Sequence, residues 1–198
     1  MVINKYKTSK HESEGDIIPN KLGITTLHEI EKAEMEGFYV AYKLLFEELN
    51  SRTKFNLKYI LKIHKTALGH LYTFAGKPRT VNMSKGGFLF PPAKFINETL
   101  IQFEKDILLK LPKAYDSKED LIKDIAVVHA ELLFIHPFRE GNGRTARLLS
   151  TLMAAKAGYN LVGLEKFSKA NFNEYVAAVQ QAIDKKYDKM ISIISSLF

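Results

Sequence analysis

Residues 136–147 read His-Pro-Phe-Arg-Glu-Gly-Asn-Gly-Arg-Thr-Ala-Arg, and the rest of the chain is best read outward from them. An apolar run, Ile125 to Ile135, precedes this stretch, and a helix-forming run, Thr145 to Ala157, follows it. Two glycines, Gly141 and Gly143, at the mouth of a helix leave backbone N–H groups bare, and such groups bind anions. Arg144 and Arg147 sit three apart, so on a helix they project from one face. Glu140 supplies the hard oxygen that a divalent cation needs against phosphate oxygens. His136 is the natural proton acceptor near neutral pH. The combination predicts a site that handles a polyphosphate.

Pro137 disfavours the α conformation at the residue before it. The helix ending at Ile135 should therefore stop at His136 and turn the imidazole outward, with Phe138 anchoring the loop in the core. Leu121 to Ile135 is apolar around most of its circumference, which predicts a central, buried helix. Further out, Thr25 or Thr26 is a candidate N-cap for a long first helix. Its apolar positions Ile30, Ala33, Phe38, Ala41, Leu44, Leu45 and Leu49 recur at helical spacing. A second helix is predicted over Leu57–Leu68. The stretch from Arg79 to Phe90 differs: Thr80–Met83 and Gly87–Phe90 look like two strands around a Ser84-Lys85-Gly86 turn. Such a hairpin is only marginally stable alone and must lean on a helical body. Helices are expected over Ala93–Leu111, Lys118–Ile135, Arg144–Ala157 and Lys169–Lys186. This is an all-α domain with one hairpin. Residues 1–19 are polar and aperiodic and read as a flexible or loosely docked arm, leaving 20–198 as a single domain.

At 198 residues, with 46% hydrophobic and 26% charged residues, the chain has the size and composition of one ordinary globular domain. The absence of cysteine excludes disulfides and thiolate catalysis. The net charge of +7 would permit nucleic-acid binding, but the basic residues are scattered among 22 acidic ones. That pattern favours a solvated surface over a nucleic-acid footprint. The N-terminus lacks the apolar stretch of a secretory signal, and no run approaches the roughly 18 apolar residues of a membrane span. The expected location is the cytoplasm.

The motif resembles that of the Fic family, His-x-Phe-x-(Asp or Glu)-Gly-Asn-Gly-Arg-x-x-Arg, and every fixed position is matched without a gap. The likeness extends to Asn20-Lys21-Leu22-Gly23-Ile24-Thr25, similar to the family's entry into its first helix, and to Thr73–Gly86, similar to the approach to its substrate flap. It covers roughly residues 20 to 185; Phe74 stands where many members carry tryptophan. The resemblance implies a Fic-type helical bundle with a short β-hairpin flap. The implied activity is protein adenylyltransferase, transfer of AMP from ATP to a Tyr, Thr or Ser hydroxyl of a target protein. By the same likeness His136 accepts the hydroxyl proton and Glu140 holds Mg²⁺. Asn142 binds the α-phosphate beside the N–H groups of Gly141 and Gly143, Arg144 grips the β-phosphate and Arg147 the γ-phosphate. Ser84, Lys85 and Gly86 form the flap tip over the nucleotide, the 79–90 hairpin docks the target, and Tyr175 flanks the adenosine pocket.

Other branches of the family act as kinases, transfer phosphocholine or transfer other nucleotides. The kinase branch has lysine where this chain has Gly143, and the phosphocholine branch alters the position of Gly141, so both glycines favour AMP transfer. A catalytically silent nucleotide- or nucleic-acid-binding module is the remaining alternative. Many members carry an inhibitory (Ser or Thr)-x-x-x-Glu-(Gly or Asn) helix whose glutamate pairs with the second motif arginine. No match occurs here: Glu36-Gly37 has Lys32, and Glu14-Gly15 has Lys10, at the hydroxyl position. The expectation is a stand-alone, toxin-like member inhibited by a separate antitoxin-like protein that supplies a glutamate to Arg147.

Overall fold

Short polar side chains start three of the longer helices by accepting a backbone N–H left bare in the first turn. The computed structural model describes residues 7–8, 17–85 and 88–198. Strand β1 is Lys7–Thr8. Helix α1 (Leu27–Glu47) begins at Thr26, whose hydroxyl accepts from Glu29 N–H, and α2 (Leu57–Leu68) at Asn56, whose side chain accepts from Tyr59 N–H. The hairpin β2 (Met83–Lys85) and β3 (Phe88–Leu89) follows. A 3₁₀ turn, Ala93–Phe95, leads into α3 (Ile96–Asp106), and a second covers Leu108–Lys110. Ser117 caps α4 (Lys118–Ile135). The remaining helices are α5 (Asn142–Lys156), α6 (Leu164–Ala170), α7 (Phe172–Gln180) and, after a 3₁₀ turn over Gln181–Asp184, α8 (Asp188–Ser195).

Helix α4 is the spine. It is buried nearly all round, from Leu121 through Ile135, and packs against α3, α5, α7 and α8. On the other side α1 and α2 pack on each other and on α5. The junction between α4 and α5 thus sits where both halves of the bundle meet. None of the helices among the described residues is long and apolar enough to cross a membrane.

The expected all-α bundle with one hairpin is what the chain forms, with α2 and α4 at their expected bounds. Three local readings differ. The first strand starts three residues later than the alternation indicated, so Ser84 and Lys85 belong to β2 rather than to its tip, while β3 lies within its expected bounds; Gly86 lies outside the described residues. The helix expected over Lys169–Lys186 is broken at Asn171 (ψ 45°), where α6 gives way to α7, and ends at Lys185 in the left-handed region. Helix α8 was hidden by the Lys185, Lys186, Lys189 cluster, yet it buries Met190, Ile193 and Ile194.

Of the arm expected at residues 1–19, positions 1–6 and 9–16 lie outside the described residues. Lys7 and Thr8 pair antiparallel with β2, opposite Ser84 and Met83, which gives the sheet order β1-β2-β3. Ile17 and Ile18 pack against the core.

Candidate active site

Helix α4 ends at His136, whose φ of 53° and ψ of 57° place it in the left-handed region. A non-glycine residue there is strained, typically by about 1–3 kcal/mol. The conformation escapes the clash that Pro137 imposes on the right-handed form. The imidazole does not turn outward as the sequence suggested; only 5% of the residue is exposed. It turns instead beneath the flap, where Phe90 stacks on it with ring centroids 3.8 Å apart and planes 18° apart. Its Nδ1–H donates to the Leu133 carbonyl at 3.0 Å, which fixes the tautomer and leaves the lone pair on Nε2. Burial pushes the imidazole pKa down to about 3, and the nearby charges of Lys85 and Arg79 act in the same direction. The ring is neutral and basic in form across the neutral range.

The loop that follows is folded by its own side chains. Asn142 accepts from Phe138 N–H through Oδ1 at 2.8 Å and donates to Phe138 O through Nδ2 at 2.6 Å. Its amide is therefore committed to the loop. What Asn142 offers a ligand is its backbone N–H at the start of α5. Gly141 adopts φ 78°, and a Cβ there would lie 2.8 Å from Leu68 Cδ1, so the turn admits little else. A Cβ on Gly143 would approach Arg147 Nη1 at 3.2 Å. Both glycines keep the helix mouth open for a close-approaching anion.

The carboxylate of Glu140 accepts from Gly141 N–H at 2.8 Å and from Arg144 Nη2 at 3.2 Å, both through Oε1. Among the described residues no group of three or more His, Asp or Glu side chains could hold a metal by themselves. One carboxylate at the mouth of an anion-binding helix fits Mg²⁺, which is commonly held by one or two carboxylates together with phosphate oxygens and water.

Arg144 is gripped from the far side as well. Glu34, on the buried face of α1 and 2% exposed, accepts from Arg144 Nη2 at 2.7 Å. The other oxygen of Glu34 accepts from the Tyr72 hydroxyl at 2.5 Å. Burial alone would lower the guanidinium pKa, but Glu34 and Glu140 outweigh it and raise it. The carboxylate that this chain supplies to a motif arginine thus reaches the first, not the second. Sequence reading passed over Glu34, although its place between Ile30 and Phe38 on an apolar stripe was a usable signal.

Two further residues outside the motif hold it in shape. His64 on α2 stacks on Phe138, centroids 3.8 Å apart. Its Nδ1 accepts from Gly76 N–H at 2.8 Å and its Nε2–H donates to Glu140 O at 2.9 Å. Arg79, 4% exposed, sends Nε to His136 O (2.7 Å), Nη1 to Val81 O (2.7 Å) and Nη2 to Pro91 O (2.6 Å). Its backbone N–H reaches Pro137 O at 2.7 Å. One guanidinium thus ties both ends of the flap segment to the turn that carries His136. Burial lowers its pKa to about 10, still charged at neutral pH. Arg79→Met strands three carbonyls and should cost about 3 kcal/mol, a drop in Tm of about 6–12 °C for a domain this size. Calorimetry reads this directly, and an unchanged Tm would mean the fork is dispensable.

Lys85, on β2, lies close enough to His136 for its charge to act on the imidazole, and its Nζ is 5.9 Å from the centre of the Phe172 ring; Ser84 pairs with Lys7 and Leu89 in the sheet. Tyr175, expected beside an adenosine, is buried on α7. Its hydroxyl meets His129 Nε2 and the side chain of Arg147.

A left-handed histidine, a glycine-flanked helix start and two arginines three apart on that helix mark the site as that of a particular class of helical proteins. Residues 54–154 match the Fic/DOC family, and the chain belongs to that family. It is 28% identical over 162 residues to the protein adenylyltransferase Fic of Drosophila willistoni, covering 82% of this chain and 32% of that protein. It is 28% identical over 186 residues to the protein adenylyltransferase VbhT of Bartonella schoenbuchensis, covering 87% of this chain and 37% of that one. The chain therefore spans about a third of the length of these curated relatives. Among solved structures, the N-terminal FIC domain of Bep8 from Bartonella sp. 1-1C aligns with a TM-score of 0.76 at 21% identity, covering 96% of this chain and 93% of that one. BepC from Bartonella tribocorum, solved with bound AMPPNP, aligns at 0.73 and 20% identity, covering 93% and 94%. These two likenesses establish the fold.

Proposed function

We propose that this chain is a protein adenylyltransferase that moves AMP from ATP to a Tyr, Thr or Ser hydroxyl of a target protein. The observation that carries the reading is a neutral His136, its Nδ1–H locked on Leu133 O, at the head of a bare helix N-terminus flanked by Arg144 and Arg147. The target oxygen attacks the α-phosphorus, its proton passes to His136 Nε2, and the bond to the bridging oxygen breaks to release pyrophosphate. The α-phosphate lies against the N–H groups of Asn142 and Gly143, Arg144 takes the β-phosphate and Arg147 the γ-phosphate. Glu140 would hold Mg²⁺, which would supply charge neutralisation to the phosphates when bound. Such catalysis is mainly positioning and charge stabilisation. Relatives named as adenylyltransferases support the reading, as does AMPPNP bound in BepC.

The target docks as an extended strand on the flap, so main-chain hydrogen bonds hold it whatever its side chains. Support comes from β2, whose edge away from β3 pairs with an extended segment, the chain's own Lys7–Thr8, which a target strand would replace. Ser84 and Lys85, with Gly86 beyond the described residues, cover the nucleotide from β2. The reaction belongs in the cytoplasm, with its ATP. A separate antitoxin-like protein restrains the enzyme by placing a glutamate on Arg147.

Incubating the protein and a cell lysate with ATP labelled at the α or the γ position tests the activity. Label on protein from the α position only is expected. Label from γ only would make it a kinase, and no label from either would leave a binding module.

A further inference from the structure

Behind Arg147 lies a buried polar chain that the motif does not contain. Ser150 Oγ donates to Ala146 O at 3.0 Å, one turn back on α5. Its oxygen is thereby left to accept from His129 Nδ1–H, at 2.9 Å. With the proton on Nδ1, His129 Nε2 is an acceptor, and the Tyr175 hydroxyl donates to it at 2.5 Å. The Tyr175 oxygen then has lone pairs only for its remaining neighbour, the Arg147 guanidinium, whose interaction with the hydroxyl works against the pKa rise that burial causes. Every hydrogen in the chain points one way, from the side of the motif arginine through Tyr175, His129 and Ser150 to the Ala146 carbonyl.

His129 and Ser150 are 0% and 1% exposed and Tyr175 is 7% exposed. Three polar side chains so deep in an apolar core cost stability unless they are mutually satisfied. A phenylalanine and two aliphatic residues would fill the same space without that demand. The protonation states also agree: burial lowers the His129 pKa to about 3 and raises that of Tyr175 to about 12, so the acceptor nitrogen and the donor hydroxyl persist across the neutral range.

We propose that Tyr175 and His129 are positioning residues that hold the Arg147 guanidinium in place for the terminal phosphate of a nucleoside triphosphate. This rests on the reading that Arg147 meets the γ-phosphate, and it assigns Tyr175 to the arginine, not to the adenosine. A preorganised guanidinium gives up less side-chain freedom when the anion arrives, and the loss of one hydrogen bond to a charged group should show in binding.

The test is calorimetric titration of the full chain with ATP·Mg²⁺ and, separately, with ADP·Mg²⁺, which lacks the terminal phosphate. Tyr175→Phe keeps the ring and removes the acceptor. It should weaken ATP about 3- to 10-fold and leave ADP unchanged. His129→Gln, which keeps the tyrosine, should weaken ATP in the same selective way and stands in if Tyr175→Phe does not fold. Arg147→Ala is the reference and should show the largest selective loss. If Arg147→Ala is selective while the folded Tyr175 and His129 variants bind both nucleotides as before, or lose both equally, the positioning role is overturned. If Arg147→Ala itself fails to distinguish ATP from ADP, the γ-phosphate reading of Arg147 falls first.

Discussion

His136→Ala should lower transfer of AMP by about 10²–10⁴, the usual contribution of one positioned base, and leave the affinity for ATP·Mg²⁺ within a few-fold of the parent. The separation follows from geometry. The imidazole sits on the turn after α4, whereas the phosphate-binding groups are the first N–H groups of α5 and the arginines one turn apart behind them. Removing the ring leaves the loop's own ties in place: Asn142 to Phe138, His64 to Glu140 O, and Arg79 to the backbone of His136. What it does remove is the partner of Phe90 in the flap. His136→Asn is therefore the companion variant. It too lacks a base that can take a proton at neutral pH, and it fills more of the space under Phe90. Both should be equally inactive, because the loss comes from proton transfer and not from packing. Transfer at parental rate by either variant, with ATP still bound, would remove His136 from the chemistry.

The motif was legible in the sequence because each of its residues makes its argument locally. A proline fixes where α4 must end, glycines permit the turn, and arginines three apart share a face. The helices legible at their true bounds, α2 and α4, each start at a capping side chain, Asn56 or Ser117, and stop at a residue that breaks the pattern, Gly69 or His136 before Pro137. What sequence could not supply is the set of residues that brace the motif from a distance. Glu34 lies 110 positions from Arg144 and Arg79 lies 57 from His136; no periodicity links such pairs. The side chains themselves were visible, since Glu34 and His129 sit on stripes that otherwise bury. A charged or polar side chain on an apolar stripe predicts a partner without saying which one. The first flap strand starts three residues late for a related reason. The flap's strands are two and three residues long, too short for alternation to fix a register, and Arg79 rather than a strand pattern sets where the hairpin leaves the body. The turn of His136 inward was illegible because it depends on Phe90, a residue of that same hairpin.

Acid should unfold this protein steeply, through histidines rather than carboxylates alone. His64, His129 and His136 are each buried and neutral, with pKa values lowered by burial to about 4, 3 and 3. In the unfolded chain the same groups titrate near about 6.5. Between those limits the unfolded state binds more protons than the folded one, so stability rises with pH there. The stabilisation is complete above about pH 6.5 and drains away as the pH falls toward the folded values. Each histidine changes stability by up to about 1.4 kcal/mol per pH unit, and three together by about 4 kcal/mol per unit. For a stability of about 6–10 kcal/mol, inside the usual range for a domain, this loss places the acid transition at about pH 4–5. Denaturant unfolding measured by circular dichroism from pH 7.5 to 4 gives the slope, and His129→Gln or His64→Gln should reduce it by about a third even if the variant starts less stable. Because His136 is neutral over the same range, transfer should not fade around pH 6.5 as for an exposed histidine base; it should persist until the fold itself is lost. A stability curve that stays flat between pH 6.5 and 4.5 would mean these imidazoles gain protons without leaving their partners, and the burial that orders the site would then be far less dry than the packing of Phe90, Phe138 and Tyr175 around them requires.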